Sequence, residues 1–139
     1  MKQQLRPNIA LLTFEIDAAT YHCLPIKEWA DYFVSTSGYV ISTKGDSPIV
    51  LADRIINGYC YVILSEGARK QQSRVHRLVA HAFLRSPLAD RQGHDRDQVN
   101  HLDCNTRNNK VANLEWCSSP ENHSHYRLMK AIAQEAANN

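Results

Sequence analysis

The chain has 139 residues, 43% of them hydrophobic and 22% charged, which is enough for one packed domain and argues against wholesale disorder. No apolar run approaches the ~20 residues that span a bilayer, and Glu15 and Asp17 interrupt the N-terminal apolar stretch, so a cytoplasmic, reducing setting is expected. The formal net charge is +2, but it is unevenly spread. Residues 1–68 carry five Lys/Arg against seven Asp/Glu, and residues 69–139 carry eleven against seven, so the C-terminal half is the one suited to a polyanion.

In residues 1–25, Leu12, Phe14 and Ile16 alternate with Thr13, Glu15 and Asp17, the period of a strand. A short helix through the alanines that follow is the alternative, and Pro25 punctuates the segment. From Ile26 to Lys44, Trp29, Tyr32 and Val34 are apolar anchors, Ser37-Gly38 signals a turn and Tyr39-Val40-Ile41 is β-rich. Residues 59–64, YCYVIL, read as a strand entered through the tight turn Asn57-Gly58. The period then changes. Val75, Leu78, Val79, Ala82 and Phe83 share one face of a helix over residues 74–84, with His76 and His81 expected to be structural. Residues 85–97, RSPLADRQGHDRD, read as a mobile polar loop.

Gln98 to Leu102 is expected to form a strand, Asp103 to Asn109 a turn, and Asn113 to Cys117 a returning strand with Leu114 and Trp116 facing a core. Asp103 suits a turn residue that hydrogen-bonds its own backbone. Ser118, Pro120 and Glu121 have the spacing of a capped helix start, with the helix running from about Pro120 to Ala136. There is no internal repeat.

Within this last stretch a histidine, an asparagine and a second asparagine (His101, Asn113 and Asn122) stand twelve and nine positions apart. The spacing suits a metal-assisted nuclease, because a neutral imidazole and a cation can then meet one phosphate. An imidazole near its ordinary pKa of ~6.5 is mostly a free base at neutral pH. The four cysteines lack C-x2-C spacing. A zinc site from Cys104 and Cys117 with two of His101, His123 and His125 is the alternative; buried apolar thiols are the simpler expectation.

QVNHLDCNTRNNKVANLEWCSSPEN resembles the HNH module of phage-type homing and free-standing HNH endonucleases. RVHRLVAHAFL is similar to the helix that leads into that module, and IKEWADYFVSTSGYVIST to a small domain often found upstream of it. The three segments, in the family's order, cover roughly residues 26–125.

The resemblance implies an α+β chain: a ββα-metal (HNH) nuclease module over 74–139, preceded by a small antiparallel β-rich domain over 26–73 and an N-terminal extension over 1–25. It implies His101 as general base, Asn113 as the residue that orients the imidazole and steadies the loop, and Asn100 and Asn122 as metal ligands. Asn100 stands where some relatives have aspartate, and two neutral amides make a weaker seat for Mg²⁺ than a carboxylate does. His123 and His125 are neighbouring candidates.

The implied cofactor is Mg²⁺, with Mn²⁺ as a substitute, and the implied partner is DNA with no membrane. Arg74, Arg77, Arg107, Lys110, Arg127 and Lys130 are the expected DNA contacts, with Arg69 and Lys70 beside them. The helical DNA-binding modules that longer relatives add after the nuclease are not expected in the short remainder beyond Asn122. A homodimer would enlarge the recognition surface. The expected activity is that of a phage homing-type DNA endonuclease in the bacterial host cell. The alternatives are an HNH-fold DNA-binding protein with weakened cleavage and a zinc-stabilised interaction domain.

Overall fold

The structure is a computed structural model that describes residues 5–138. Residues 1–4 of the N-terminal extension and residue 139 of the nuclease segment lie outside the described residues. In chain order the strands are β1 (Leu12–Ile16), β2 (Ala19–Pro25), β3 (Tyr32–Ser35), β4 (Val40–Ser42), β5 (Ile49–Val50), β6 (Arg54–Ile56), β7 (Tyr59–Glu66) and β8 (Arg69–Arg74). Helix α1 (Val75–Phe83), strands β9 (Gln98–His101) and β10 (Leu114–Cys117) and helix α2 (Ser119–Ala137) follow. β1 to β5 form one antiparallel meander, β6 to β8 a second, and β9 and β10 a hairpin.

The alternation of Leu12, Phe14 and Ile16 does make a strand. The alanines beyond it do not make a helix. Asp17 and Ala18 both adopt positive φ (51° and 64°), and β1 turns directly into β2. A two-residue turn of that hand matches the twist of the strands it joins. Phe14 then packs on Phe33, with ring centroids 5.1 Å apart. β2 pairs onward with β3, so residues 12–25 add two strands to the sheet built by the segment after Pro25. The Asn57-Gly58 turn has the same form, with φ of 50° and 83°.

Helix α1 is central. It rests on β2 and β3 of the first sheet, β7 and β8 of the second, and β9 and β10 of the hairpin. Its buried face, Val75, Val79, Ala80 and Phe83, shares one apolar cluster with Trp29, Val34, Val62, Leu64, Val99, Leu114 and Trp116. Leu78 and Ala82, expected on the same face, are half-buried at its edge. Burying side chains of this size contributes about 1.5–3 kcal/mol each. A single core therefore ties the hairpin to the strands before it.

The 85–97 segment, expected to be mobile, is closed on itself and pinned. Asp90 is buried and accepts hydrogen bonds from the backbone of Gln92 and His94 and, at 2.6 Å, from the Ser118 hydroxyl. Those donors, Ser118 first, hold the Asp90 carboxyl down at about 2. Arg96 donates two 2.9 Å bonds to Glu121, a fork that holds the Glu121 carboxyl at about 2. A polar loop is ordered here because its charges find partners at the start of α2.

The expected cap is present. Ser118 accepts from the Glu121 backbone, and the Glu121 side chain accepts from the Ser118 backbone. Ser118→Ala removes this cap and a partner of buried Asp90 together. We expect a loss of about 1–2 kcal/mol, read as a lower urea midpoint; an unchanged midpoint would mean that the loop does not depend on this contact.

Candidate active site

The hairpin register pairs His101 with Leu114, Asn100 with Glu115, Val99 with Trp116 and Gln98 with Cys117. Because side chains alternate, His101 falls on the face that Val99, Leu114 and Trp116 bury. It sits at the last residue of β9, where the strand opens into the 103–110 loop. The imidazole is consequently only 4% exposed. One flank packs edge-on against His76, at 5.0 Å between centroids, and Tyr59 lies 6.2 Å away. Burial pushes the His101 pKa below the ordinary imidazole value, partly opposed by a hydrogen bond to Asn109 and the charge of Asp103.

Asn113 does not hold the ring. It ends a short 3-10 turn, Val111–Asn113, just before β10 rather than within it. Its amide donates to Asp103 Oδ1 and to the Asn108 carbonyl, both at 2.8 Å, and its oxygen accepts from the Asp103 backbone at 3.0 Å. The loop-steadying half of its expected role is visible in these bonds. The bond to the imidazole belongs to Asn109, whose Oδ1 accepts from His101 Nε2 at 2.8 Å. The reason is reach: the 3-10 turn directs Asn113 back into the loop, whereas Asn109 is buried beside the ring. Asp103 is a turn residue as expected, accepting from the Asn105 backbone and the Asn108 amide, each at 2.8 Å. Burial raises the Asp103 pKa, but these donors outweigh it and the net shift is downward.

Asn100, His101, Asn122, His123 and His125 line one cleft of about 260 Å³, together with Tyr59, Val99, Cys104, Thr106 and Tyr126. Each metal-candidate amide has its NH₂ engaged outside it. Asn100 donates to Glu115 at 3.3 Å, across the hairpin, and Asn122 in the second turn of α2 donates to Gln98 at 3.1 Å. Both keep an amide oxygen to offer. Two such hard oxygen donors beside an imidazole suit a divalent cation of the Mg²⁺ type, though weakly without a carboxylate. His125 has its Nε2 2.9 Å from the Leu102 carbonyl, a contact that ties α2 to the hairpin end. A larger cavity, about 540 Å³, lies beyond β10 between the 85–97 loop and α2, and no motif residue lines it.

The zinc alternative is not assembled. Cys104 lines the cleft, but Cys117 pairs with Gln98 at the opposite end of the hairpin from His101. Among the described residues no three His, Cys, Asp or Glu side chains are grouped to hold a metal. Burial pushes the Cys117 thiol up to about 12, as an inert core thiol requires.

Of the expected DNA contacts, Arg107, Lys110, Arg127 and Lys130 are exposed on the loop and on α2. Arg74 donates to the Tyr61 hydroxyl at 2.8 Å and lies near the Tyr59 ring beside the cleft. Arg77 is engaged elsewhere, donating to the Asp97 carbonyl at 2.8 Å and stacking on Trp116. Asn109, Glu115, Gln98 and Tyr59 were not singled out in the sequence. Only the antiparallel register, which sets Glu115 opposite Asn100, could have pointed to one of them.

No protein-family model matches the chain. Two uncharacterized HNH endonucleases of Acanthamoeba polyphaga mimivirus are similar to it. One is 32% identical over 74% of this chain and 29% of its own length, the other 34% identical over 65% and 21%. The chain thus spans less than a third of these curated relatives. Among solved structures, that of the HNH homing endonuclease I-HmuI, described for its DNA binding and cleavage, matches with a TM-score of 0.62 and 28% identity. The match covers 84% of this chain and 66% of that one. No helix among the described residues is long and apolar enough to cross a membrane. The hairpin-and-helix site and these matches agree: the chain is similar to HNH endonucleases, and its fold matches that of an HNH homing endonuclease.

Proposed function

We propose that the chain is a metal-assisted DNA endonuclease module in which His101 activates water for phosphodiester hydrolysis. One observation carries the reading: the imidazole of His101 and the amides of Asn100 and Asn122 line the same cleft, with both NH₂ groups held outside it. The Nε2 hydrogen is committed to Asn109, which leaves Nδ1 as the lone pair that takes a proton from water. Asn113 keeps the 103–110 loop closed around that arrangement. Asn100 and Asn122 would hold a Mg²⁺ or Mn²⁺ ion, which would supply Lewis-acid stabilisation of charge on the phosphate. Arg74, Arg107, Lys110, Arg127 and Lys130 would contact the DNA backbone, with Arg77 the least available of the six. The phage-type homing character and a place in the host cytoplasm belong to this proposal, and both curated relatives come from a virus.

Supercoiled plasmid incubated with the protein and Mg²⁺ is expected to be nicked or linearised, and EDTA to stop the reaction. The neutral Asn100/Asn122 pair favours one rival, binding without cleavage. That rival predicts no cutting with any divalent ion, alongside DNA retention whose logarithm falls with log salt at about −0.9 per phosphate neutralised.

A further inference from the structure

The His101 ring is fixed by a residue outside the family's three-residue signature, and that residue is held by the upstream sheets. Asn109 is 3% exposed. Its Oδ1 accepts from His101 Nε2 at 2.8 Å, and the buried Cys60 thiol on β7 lies near its amide. The bond to the ring fixes which way the amide points, since only the oxygen can accept from an imidazole N–H. Its backbone is held as closely. Gly38, in the β3–β4 turn, has φ +91°, and a Cβ there would fall 2.7 Å from the Asn109 carbonyl carbon and oxygen and 2.9 Å from its Cβ. Beside it, Thr36 accepts a 2.9 Å hydrogen bond from the Val111 backbone. The Asn108 carbonyl, immediately before Asn109, takes the Asn113 amide. Two sheets and the motif asparagine converge on one side chain, and that side chain's oxygen ends on the imidazole.

We propose that Asn109 is the positioning residue for His101, selecting the Nε2–H tautomer, and that the β3–β4 turn completes the site by clamping Asn109 through Gly38. This rests on the nuclease reading for its consequence in rate, but not for the tautomer itself. The upstream sheet is then part of the catalytic apparatus. Asn113 acts on the imidazole at one remove, by fixing the peptide from which Asn109 springs.

The test uses the full chain with ¹⁵N-labelled histidine. Long-range ¹H–¹⁵N correlation spectra give the His101 tautomer, and plasmid cleavage under Mg²⁺ gives kcat and KM separately. The wild type should show the Nε2–H form. Asn109→Asp, which keeps an acceptor, should retain that form and most of the rate. Asn109→Leu should mix the tautomers and lower kcat by about 10–100-fold with KM little changed; Gly38→Ala should move both readings the same way by less.

A wild-type ring in the Nδ1–H form overturns the proposal, as does Asn109→Leu with the wild-type tautomer and kcat, or a loss confined to KM. Should Asn109→Leu fail to fold, the wild-type and Asn109→Asp spectra still decide it. Wild-type protein that never cuts sinks the nuclease reading and leaves the tautomer measurement standing.

Discussion

Replacing His101 by alanine is expected to lower plasmid cleavage by a factor of about 10²–10⁴ while DNA retention stays at the wild-type level. The expectation follows from where the ring sits. It lies at the open end of β9, beside the two amides of the cleft, and it is not among the exposed cations expected to meet phosphate. Burial lowers the His101 pKa, so the ring stays a free base at neutral pH and somewhat below it. The sign follows: the acid-side fall in cleavage should come at a lower pH than an ordinary imidazole would give. Equal cutting by wild type and His101→Ala would bring down the assignment of the base.

The second large effect concerns stability. His76 is 4% exposed, packs on His101 at 5.0 Å and on Tyr59 at 5.4 Å, and has no partner for its Nδ1. Burial first, then the charges of His101, Arg74 and Arg77, push its pKa down to about 3. The folded protein therefore keeps His76 neutral, while the unfolded chain protonates it near ~6.5.

Between those values the unfolded state binds the extra proton, so stability is fully present above about pH 6.5 and lost as pH falls towards 3. The slope is about 1.4 kcal/mol per pH unit, or roughly 3 kcal/mol by pH 4.5, against the 5–15 kcal/mol of an ordinary domain. His101 adds a smaller change of the same sign. Asp90 and Glu121, both held at about 2, begin to give up their stabilisation as pH falls through the ordinary carboxylate values, so a window between about pH 6.5 and 5 isolates the histidines. Urea unfolding across that window should show the slope in the wild type and a shallower one in His76→Phe. Identical slopes would mean that His76 already carries its proton in the fold.

What could be read along the chain was local. The alternation at Leu12–Ile16, the Asn57-Gly58 turn, the apolar stripe of α1, the hairpin strands and the Ser118 cap each rest on neighbours within a few residues. Backbone sterics and side-chain period decide such features before any distant contact forms. The meeting of residues 101 and 122 was legible for a related reason: a hairpin followed directly by a capped helix returns them to one cleft.

Tertiary structure decided the rest. The alanines after Asp17 could have continued a helix until β1 found β2, and the charged 85–97 loop looked free until Ser118 and Glu121 supplied partners from α2. Asn109 and Asn113 sit in the same asparagine-rich loop, and nothing local says which reaches the imidazole. Gly38, 71 residues before Asn109, bears on it by leaving room for the Asn109 backbone beside the ring. Composition and spacing brought the imidazole and the amides to the hairpin; close packing between distant segments chose which amide touches the His101 ring.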